Sequence, residues 1–214
     1  MLAFAIFADD TMAEVLINCG KCGKRFPVET VSSVNTARDP GGKERILRGE
    51  LFVRECPYCG QKNLASFPLL YHDPAAQLMI WLSDGDKTTE QRMRDAVEAG
   101  GMEGYTLRIA DTPGQLIEKI KIFDTGLDDV VMEMCKFVTR QELGKDADLL
   151  FFGIGGADHE ITLTYPENGE MQLIRTGFNV YEDCAGIVSR NPALKQEAAT
   201  LCRVNRAWME QHLR

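Results

Sequence analysis

The 214-residue chain has only three histidines, so a histidine-rich metal site has few ligands to draw on. No apolar run approaches the roughly 18–20 residues that cross a bilayer, which excludes a membrane-spanning helix and predicts no membrane partner. Positive charge is also short: 24 Lys and Arg stand against 32 Asp and Glu, a formal charge of −8. That balance argues against a protein that coats nucleic acid with its whole surface. There is no internal repeat, no low-complexity segment and no G-x-S-x-G nucleophile turn.

Cysteine, by contrast, is plentiful. The chain has seven, an odd number, and four of them form two C-x-x-C pairs. That usage suits metal binding in a reducing compartment better than a secreted disulfide framework, and it predicts a cytoplasmic protein. The opening 1–8 run is apolar, but it lacks a basic first segment and meets Asp9-Asp10 where a cleavage site would sit. Met12 reads as a second possible start, with residues 1–11 as a plain disordered terminus ahead of two alternatives, an upstream extension or a loosely held extra strand.

The pairs are Cys19-Gly20-Lys21-Cys22-Gly23 and Cys56-Pro57-Tyr58-Cys59-Gly60. Two intervening residues let both sulfurs of a tight turn reach one ion, and four thiolates at about 2.3 Å complete the tetrahedron that Zn²⁺ accepts. A glycine after each second cysteine supplies the positive φ such a turn needs. The expectation is one structural zinc held by Cys19, Cys22, Cys56 and Cys59. With every position filled by protein, such a site stabilises a fold and activates no water.

Other chemistries fit the same residues. Cys-Pro-Tyr-Cys is also a redox motif, and Cys56 and Cys59 would then serve a thiol-disulfide oxidoreductase; that chemistry needs the first cysteine at a helix start. Here the turn-like Gly60-Gln61-Lys62-Asn63 follows. Iron also accepts four thiolates. Lys21, Lys24, Arg25, Arg54 and Lys62 crowd the knuckles and suggest a nucleic-acid-binding zinc ribbon. They equally offset the net charge of about −2 that four thiolates leave on a divalent ion. Residues 12–64 hold nine basic and six acidic residues, a weak footprint for DNA or RNA.

Beyond the cysteines, Ile17-Asn18, Phe26-Pro27-Val28, Val34-Asn35, Asp39-Pro40, Gly49-Glu50-Leu51 and Leu70-Tyr71-His72-Asp73 complete a pattern that resembles the CpXC-domain proteins. The similarity continues through residues 116–120 and 126–129. The first pair departs from the family name, carrying Gly20 where the motif has proline. The resemblance implies that Cys19, Cys22, Cys56 and Cys59 are metal ligands, and it implies no activity.

The fold expected is α+β. A zinc-ribbon-like antiparallel β module spans 12–84, followed by an acidic α+β region over 85–214 with a three-stranded meander and several helices. In the module, strands enter and leave the first knuckle at 12–19 and 25–34, and apolar strands lie at 65–71 and 77–82. The segment 83–86 marks the boundary. Thr88-Thr89-Glu90-Gln91 and Thr112-Pro113-Gly114-Gln115 read as capping boxes opening helices to about 99 and 123. A helical stripe from Leu127 to Val138 reads as core, with Cys135 as a small buried hydrophobe. Strands follow at 149–154, 160–165 and 171–176, then helices at 178–188 and 192–212, the last carrying Leu194, Ala198, Leu201, Val204 and Trp208 on one face.

Four further groups carry less. Gly153-Ile154-Gly155-Gly156 follows a strand as a phosphate loop would, but precedes a second strand and reads as a hairpin turn. Asp158-His159-Glu160 reads as a polar turn. His72 reads as a turn residue before Asp73-Pro74, with general-base or hydrogen-bonding roles as alternatives. Asp128-Asp129 suits the positive end of a helix. The function expected is binding or regulation through a protein partner, with catalysis disfavoured.

Overall fold

The computed structural model describes residues 13–83, 85–156 and 159–213. The reading of residues 1–11 and of Met12 lies outside that range, as do Asp84 and Asp158. The chain forms two compact units, the first ending at Leu116 and the second beginning at Ile117. No helix is long and apolar enough to cross a membrane among the described residues.

In the first unit, β1 (Ala13–Asn18) and β2 (Arg25–Thr30) form an antiparallel hairpin closed by the first cysteine pair. β2 alternates strictly, burying Phe26, Val28 and Thr30 and exposing the residues between, the pattern of a strand with one wet face. β4 (Val53–Glu55) and β5 (Lys62–Leu64) form a second, three-residue hairpin around the second pair. Between the hairpins lie β3 (Ser33–Asn35) and α1 (Gly42–Leu47), which buries Ile46.

A four-stranded sheet, ordered β3-β6-β7-β8, carries the unit's apolar mass: β6 (Leu69–Asp73), β7 (Leu78–Leu82) and β8 (Thr106–Ala110). Its central hairpin β6–β7 is antiparallel, whereas β3–β6 and β7–β8 are parallel. The two central strands are buried at every position, which is why Leu78-Met79-Ile80-Trp81-Leu82 runs apolar without alternation. α2 (Lys87–Glu98) connects β7 to β8. Its cap is Asp86, whose carboxylate accepts from the N–H groups of Thr88 and Thr89, two residues ahead of the threonine box expected from sequence. A carboxylate answers the positive helix end better than a hydroxyl.

The cap of α3 (Pro113–Asp124) forms at Thr112 as read, its Oγ1 accepting from the Gln115 N–H at 3.2 Å, while the Gln115 side chain accepts from the Asp111 N–H at 2.9 Å, one residue before the position a capping box uses. Residues 117–124 of α3 open the second unit. There α4 (Asp129–Leu143) is followed by the meander of β9 (Leu150–Gly155), β10 (Glu160–Glu167) and β11 (Glu170–Thr176), ordered β11-β10-β9. Asn168 and Gly169, both at positive φ, make the tight β10–β11 turn. α5 (Phe178–Ser189) completes the core with Met132, Phe151, Leu163 and Val188, and Cys135 is fully buried among them.

The single helix expected at 192–212 is two helices, α6 (Pro192–Ala198) and α7 (Arg206–His212). Thr200 Oγ1 bonds back to the Glu197 carbonyl where α6 ends. Asn205 caps α7 by accepting from the Trp208 N–H at 3.0 Å. The apolar face survives the break, because Leu194, Leu201, Val204 and Trp208 are all buried.

Candidate metal centre

The two cysteine turns share one backbone design. In the first, Cys19 N–H donates to the Lys24 carbonyl and Gly23 N–H to the Cys19 carbonyl, both at 2.9 Å. In the second, Cys56 N–H donates to Gln61 and Gly60 N–H to Cys56, again at 2.9 Å. Gly23 and Gly60 sit at φ +71° and +70°. At Gly23 an added Cβ would meet nothing within 4 Å, so the position demands glycine's φ and not its small size.

These turns bring four sulfurs together from positions up to 40 residues apart. Cys19 Sγ lies 3.6 Å from Cys59 Sγ, and Cys22 Sγ lies 3.8 Å from Cys56 Sγ. All four lie within 4.8 Å of one another. The two measured distances are far beyond a disulfide's ~2.05 Å. They match the edge of a tetrahedron with metal–sulfur bonds of about 2.3 Å, which is about 3.8 Å. The residues thus fit a four-thiolate ion. Cys19 and Cys56 are buried, Cys59 is half-buried and Cys22 is exposed.

The thiols also polarise one another. The N–H of Cys22, helped by that of Lys21 and by the Cys59 and Cys22 thiols, lowers Cys19 to about 6. On Cys59 the Gln61 N–H acts downward, but burial and the neighbouring thiols Cys19, Cys22 and Cys56 outweigh it and push the group up to about 11.

Asn63 is a member of the site that the sequence did not disclose. Its side-chain oxygen accepts from the Gly20 N–H at 2.9 Å, and its amide nitrogen donates to the Gln61 carbonyl at 2.7 Å and faces Cys19 Sγ at 3.8 Å. One side chain on β5 therefore ties the two knuckles together. The stretch read as turn-like, Gln61-Lys62-Asn63, enters that strand.

Around the sulfurs, Lys21, Lys24, Arg25 and Lys62 are exposed. Lys24 Nζ sits 4.7 Å over the Tyr58 ring, joining the rim of one knuckle to that of the other. Arg54 spends its donors on the carbonyls of Glu50, Val53 and Glu29. No helix begins at Cys56, which lies in the turn between β4 and β5.

His72 stands apart from the cluster, within β6, and is a buried strand residue rather than a turn residue. The Ala37 N–H donates to Asn35 Oδ1, which orients the amide so that its nitrogen donates to His72 Nδ1 at 3.1 Å. The proton therefore sits on Nε2 and is donated to the Tyr105 hydroxyl at 3.2 Å. Burial holds His72 below its ordinary value. In the second unit, the Trp208 carbonyl and the Glu197 carboxylate raise His212. Histidine NMR titrations should resolve one midpoint below about 6.5 and one above it, assigned by His72→Gln and His212→Gln. The linkage signs are opposite. The His72 contribution is present above the unfolded value and lost as pH falls through the depressed one. The His212 contribution is present below the unfolded value and lost as pH rises through the raised one. A shared midpoint would contradict both assignments.

The remaining motifs resolve simply. The 153–156 glycines lie at the end of β9, which pairs antiparallel with β10, so no helix follows to receive a phosphate. Asp128 caps α4 by accepting from the Val130 and Val131 N–H groups. Asp129, expected to serve the dipole alike, is instead buried against Lys119 Nζ at 2.7 Å.

No curated protein and no solved structure matches the chain. A family model does match, that of the CpXC protein, over residues 17–136, a span that holds all four clustered cysteines and Asn63. More than half of the sequence falls within the match, and the chain belongs to the CpXC family.

Proposed function

We propose that Cys19, Cys22, Cys56 and Cys59 bind one structural Zn²⁺ and that the module so fastened is a docking element for a protein partner. The observation that carries this reading is the gathering of four sulfurs within 4.8 Å of one another, two of the pairs at 3.6 and 3.8 Å, close to the edge of a zinc–thiolate tetrahedron. Four protein ligands leave the ion no open position for water or substrate, so its role is to hold the hairpins and not to catalyse. Zinc is favoured over iron because it needs no redox partner and takes tetrahedral sulfur without electronic preference. Residues 12–84 carry the module in this reading, with β8 completing its sheet. The paired C-x-x-C turns suit a reducing compartment, which supports a cytoplasmic reading.

The test is elemental analysis of the purified full chain together with native mass spectrometry. One zinc per chain, removed by chelator with loss of near-native structure in the first unit, is the expected result. A metal-free chain with intact knuckles would refute it, and an iron–thiolate absorption band would replace zinc by iron.

A second reading is favoured by one feature, the exposed Tyr58 ring beneath Lys24 with Lys21, Arg25 and Lys62 nearby: a ribbon that stacks on single-stranded nucleic acid. A salt titration of oligonucleotide binding decides it. Absence of affinity even at low ionic strength removes the idea.

A further inference from the structure

The meander of the second unit ends in a strand with one open edge. Among the described residues β11 pairs with β10 alone, and no other backbone hydrogen bond reaches it. The hairpin fixes which of its groups are free. Glu167 and Glu170 face each other across the two-residue turn at Asn168-Gly169, so they form a hydrogen-bonded pair, and bonded pairs recur at every second residue of the ladder. Glu170, Gln172, Ile174 and Thr176 therefore spend their N–H and C=O groups on β10. Met171, Leu173 and Arg175 turn theirs outward.

The two edges of this sheet differ. β9 is irregular opposite Thr162 and Leu163, contains Gly153 and Gly155, and has Lys121 Nζ 4.5 Å from the centre of its exposed Phe152 ring. Bulges and lysines are common means of keeping an edge from pairing. β11 has seven residues in unbroken register, with no proline, glycine or lysine, and its Met171 and Leu173 are each 60% exposed. Its only charged residues, Glu170 and Arg175, lie near opposite ends. Glu170 makes no ion pair among the described residues, and Arg175 has a long one, 4.0 Å to Glu160. Glu167, opposite Glu170 on β10, is held by Lys145 at 2.8 Å.

We infer that two copies of the chain pair antiparallel through β11, with Leu173 on the two-fold axis, joining two three-stranded meanders into one continuous sheet. This register uses every outward backbone group of the strand, for about six hydrogen bonds. It sets Leu173 against its counterpart, Met171 along the aliphatic stem of the partner's Arg175, Gln172 opposite the partner's Ile174 and Glu170 opposite the partner's Thr176. The partner's Arg175 is then one position from Glu170, while the two glutamates stay about 20 Å apart and the two arginines about 14 Å. Sliding the copies towards either strand end loses bonds and brings Glu170 towards Glu170 or Arg175 towards Arg175, which like charges oppose. The strand is thus compatible with itself in one full-length register. The inference lies within the second unit and is independent of the metal reading.

The test is sedimentation velocity of the reduced full chain from low micromolar to several hundred micromolar concentration, with a shift from monomer to dimer expected. Leu173→Lys puts like charges opposite each other on the axis and should weaken dimerisation about tenfold. Leu173→Glu should do the same. Because the side chain is exposed, both variants should keep the fold, which circular dichroism verifies. An equimolar mixture of the two should dimerise again, since opposite charges then meet on the axis. Amide hydrogen exchange separates edge pairing from mere packing of the exposed leucine. The N–H groups of Met171, Leu173 and Arg175 should exchange more slowly as the dimer forms, while those of Gln172 and Ile174 are protected at every concentration. A chain that stays monomeric, a dimer that survives Leu173→Lys, a mixture that does not reassociate, or a dimer whose three outward amides exchange freely would each overturn the inference.

Discussion

Cys59→Ser is expected to reduce bound metal from one ion per chain to near zero after dialysis against a mild chelator, and to unfold both knuckles of the first unit. The size of the effect follows from what else holds those hairpins. β1–β2 is a two-stranded ribbon and β4–β5 has only three residues on each strand. Isolated two-stranded hairpins are marginal in water, so neither has a reserve of its own. Structural zinc contributes apparent binding free energies of about 10–16 kcal/mol in small domains at neutral pH, and that energy becomes folding energy. A serine hydroxyl does not ionise at this pH and leaves three thiolates, an open fourth position and a weaker site.

The two tryptophans make the prediction local, because Trp81 lies on β7 in the first unit and Trp208 on α7 in the second. With Trp81 as reporter the melting transition should fall markedly, and with Trp208 as reporter it should move little. Cys135→Ala provides the control, since that thiol is buried in the second unit's core and its loss should leave metal content unchanged. A Cys59→Ser protein that keeps its zinc through dialysis, or an unchanged Trp81 transition, would sink the metal reading.

The readable parts of this structure are those whose cause is local. The C-x-x-C-Gly turns declare themselves because the spacing, the sulfur chemistry and glycine's positive φ all act within five residues. The Thr112-Pro113 cap is equally local. What escaped reading depends on partners distant in the chain. Asn63 is 43 residues from the Gly20 N–H it accepts, on a strand too short for any alternation to show. His72 looked like a turn residue because Asp73-Pro74 follows, but it is buried by pairing with Asn35, 37 residues earlier. The parallel pairings of β3 with β6 and β7 with β8 leave no trace in single-strand patterns. In the last segment the apolar stripe from Leu194 to Trp208 runs straight through a helix break, because burial continues where the backbone turns.

Asp129 shows the same limit and leads to the other large effect. On α3 and α4 of the second unit, Glu118, Lys119, Asp129, Glu133 and Lys136 are all buried, each no more than 4% exposed. Lys136 Nζ donates to Glu118 at 3.0 Å and to Glu133 at 2.7 Å, and Glu118 Oε1 also accepts the Phe151 N–H at 2.7 Å. Burial acts to lower Lys136, but the two carboxylates outweigh it and raise the group overall. Burial raises Glu133, whose Oε1 has no hydrogen-bond partner. Lys136→Met deletes the one cation that both Glu118 and Glu133 share, and leaves two like charges in a dry interior. The expected cost is about 3–5 kcal/mol, the range for breaking a buried ion pair from one side.

The cost should be recoverable. Adding Glu133→Met removes the carboxylate with the unsatisfied oxygen, and adding Glu118→Gln removes the other carboxylate's charge while keeping an acceptor for the Phe151 N–H, leaving the Lys119–Asp129 pair intact. That triple replacement should return to within about 2 kcal/mol of the parent, because replacing a buried ion triad by well-packed neutral groups is often close to neutral. Denaturant unfolding followed at Trp208, in a Trp81→Phe background, measures each step within the second unit. If Lys136→Met costs less than about 1 kcal/mol, the lysine is not neutralising those carboxylates and they are protonated in the native core.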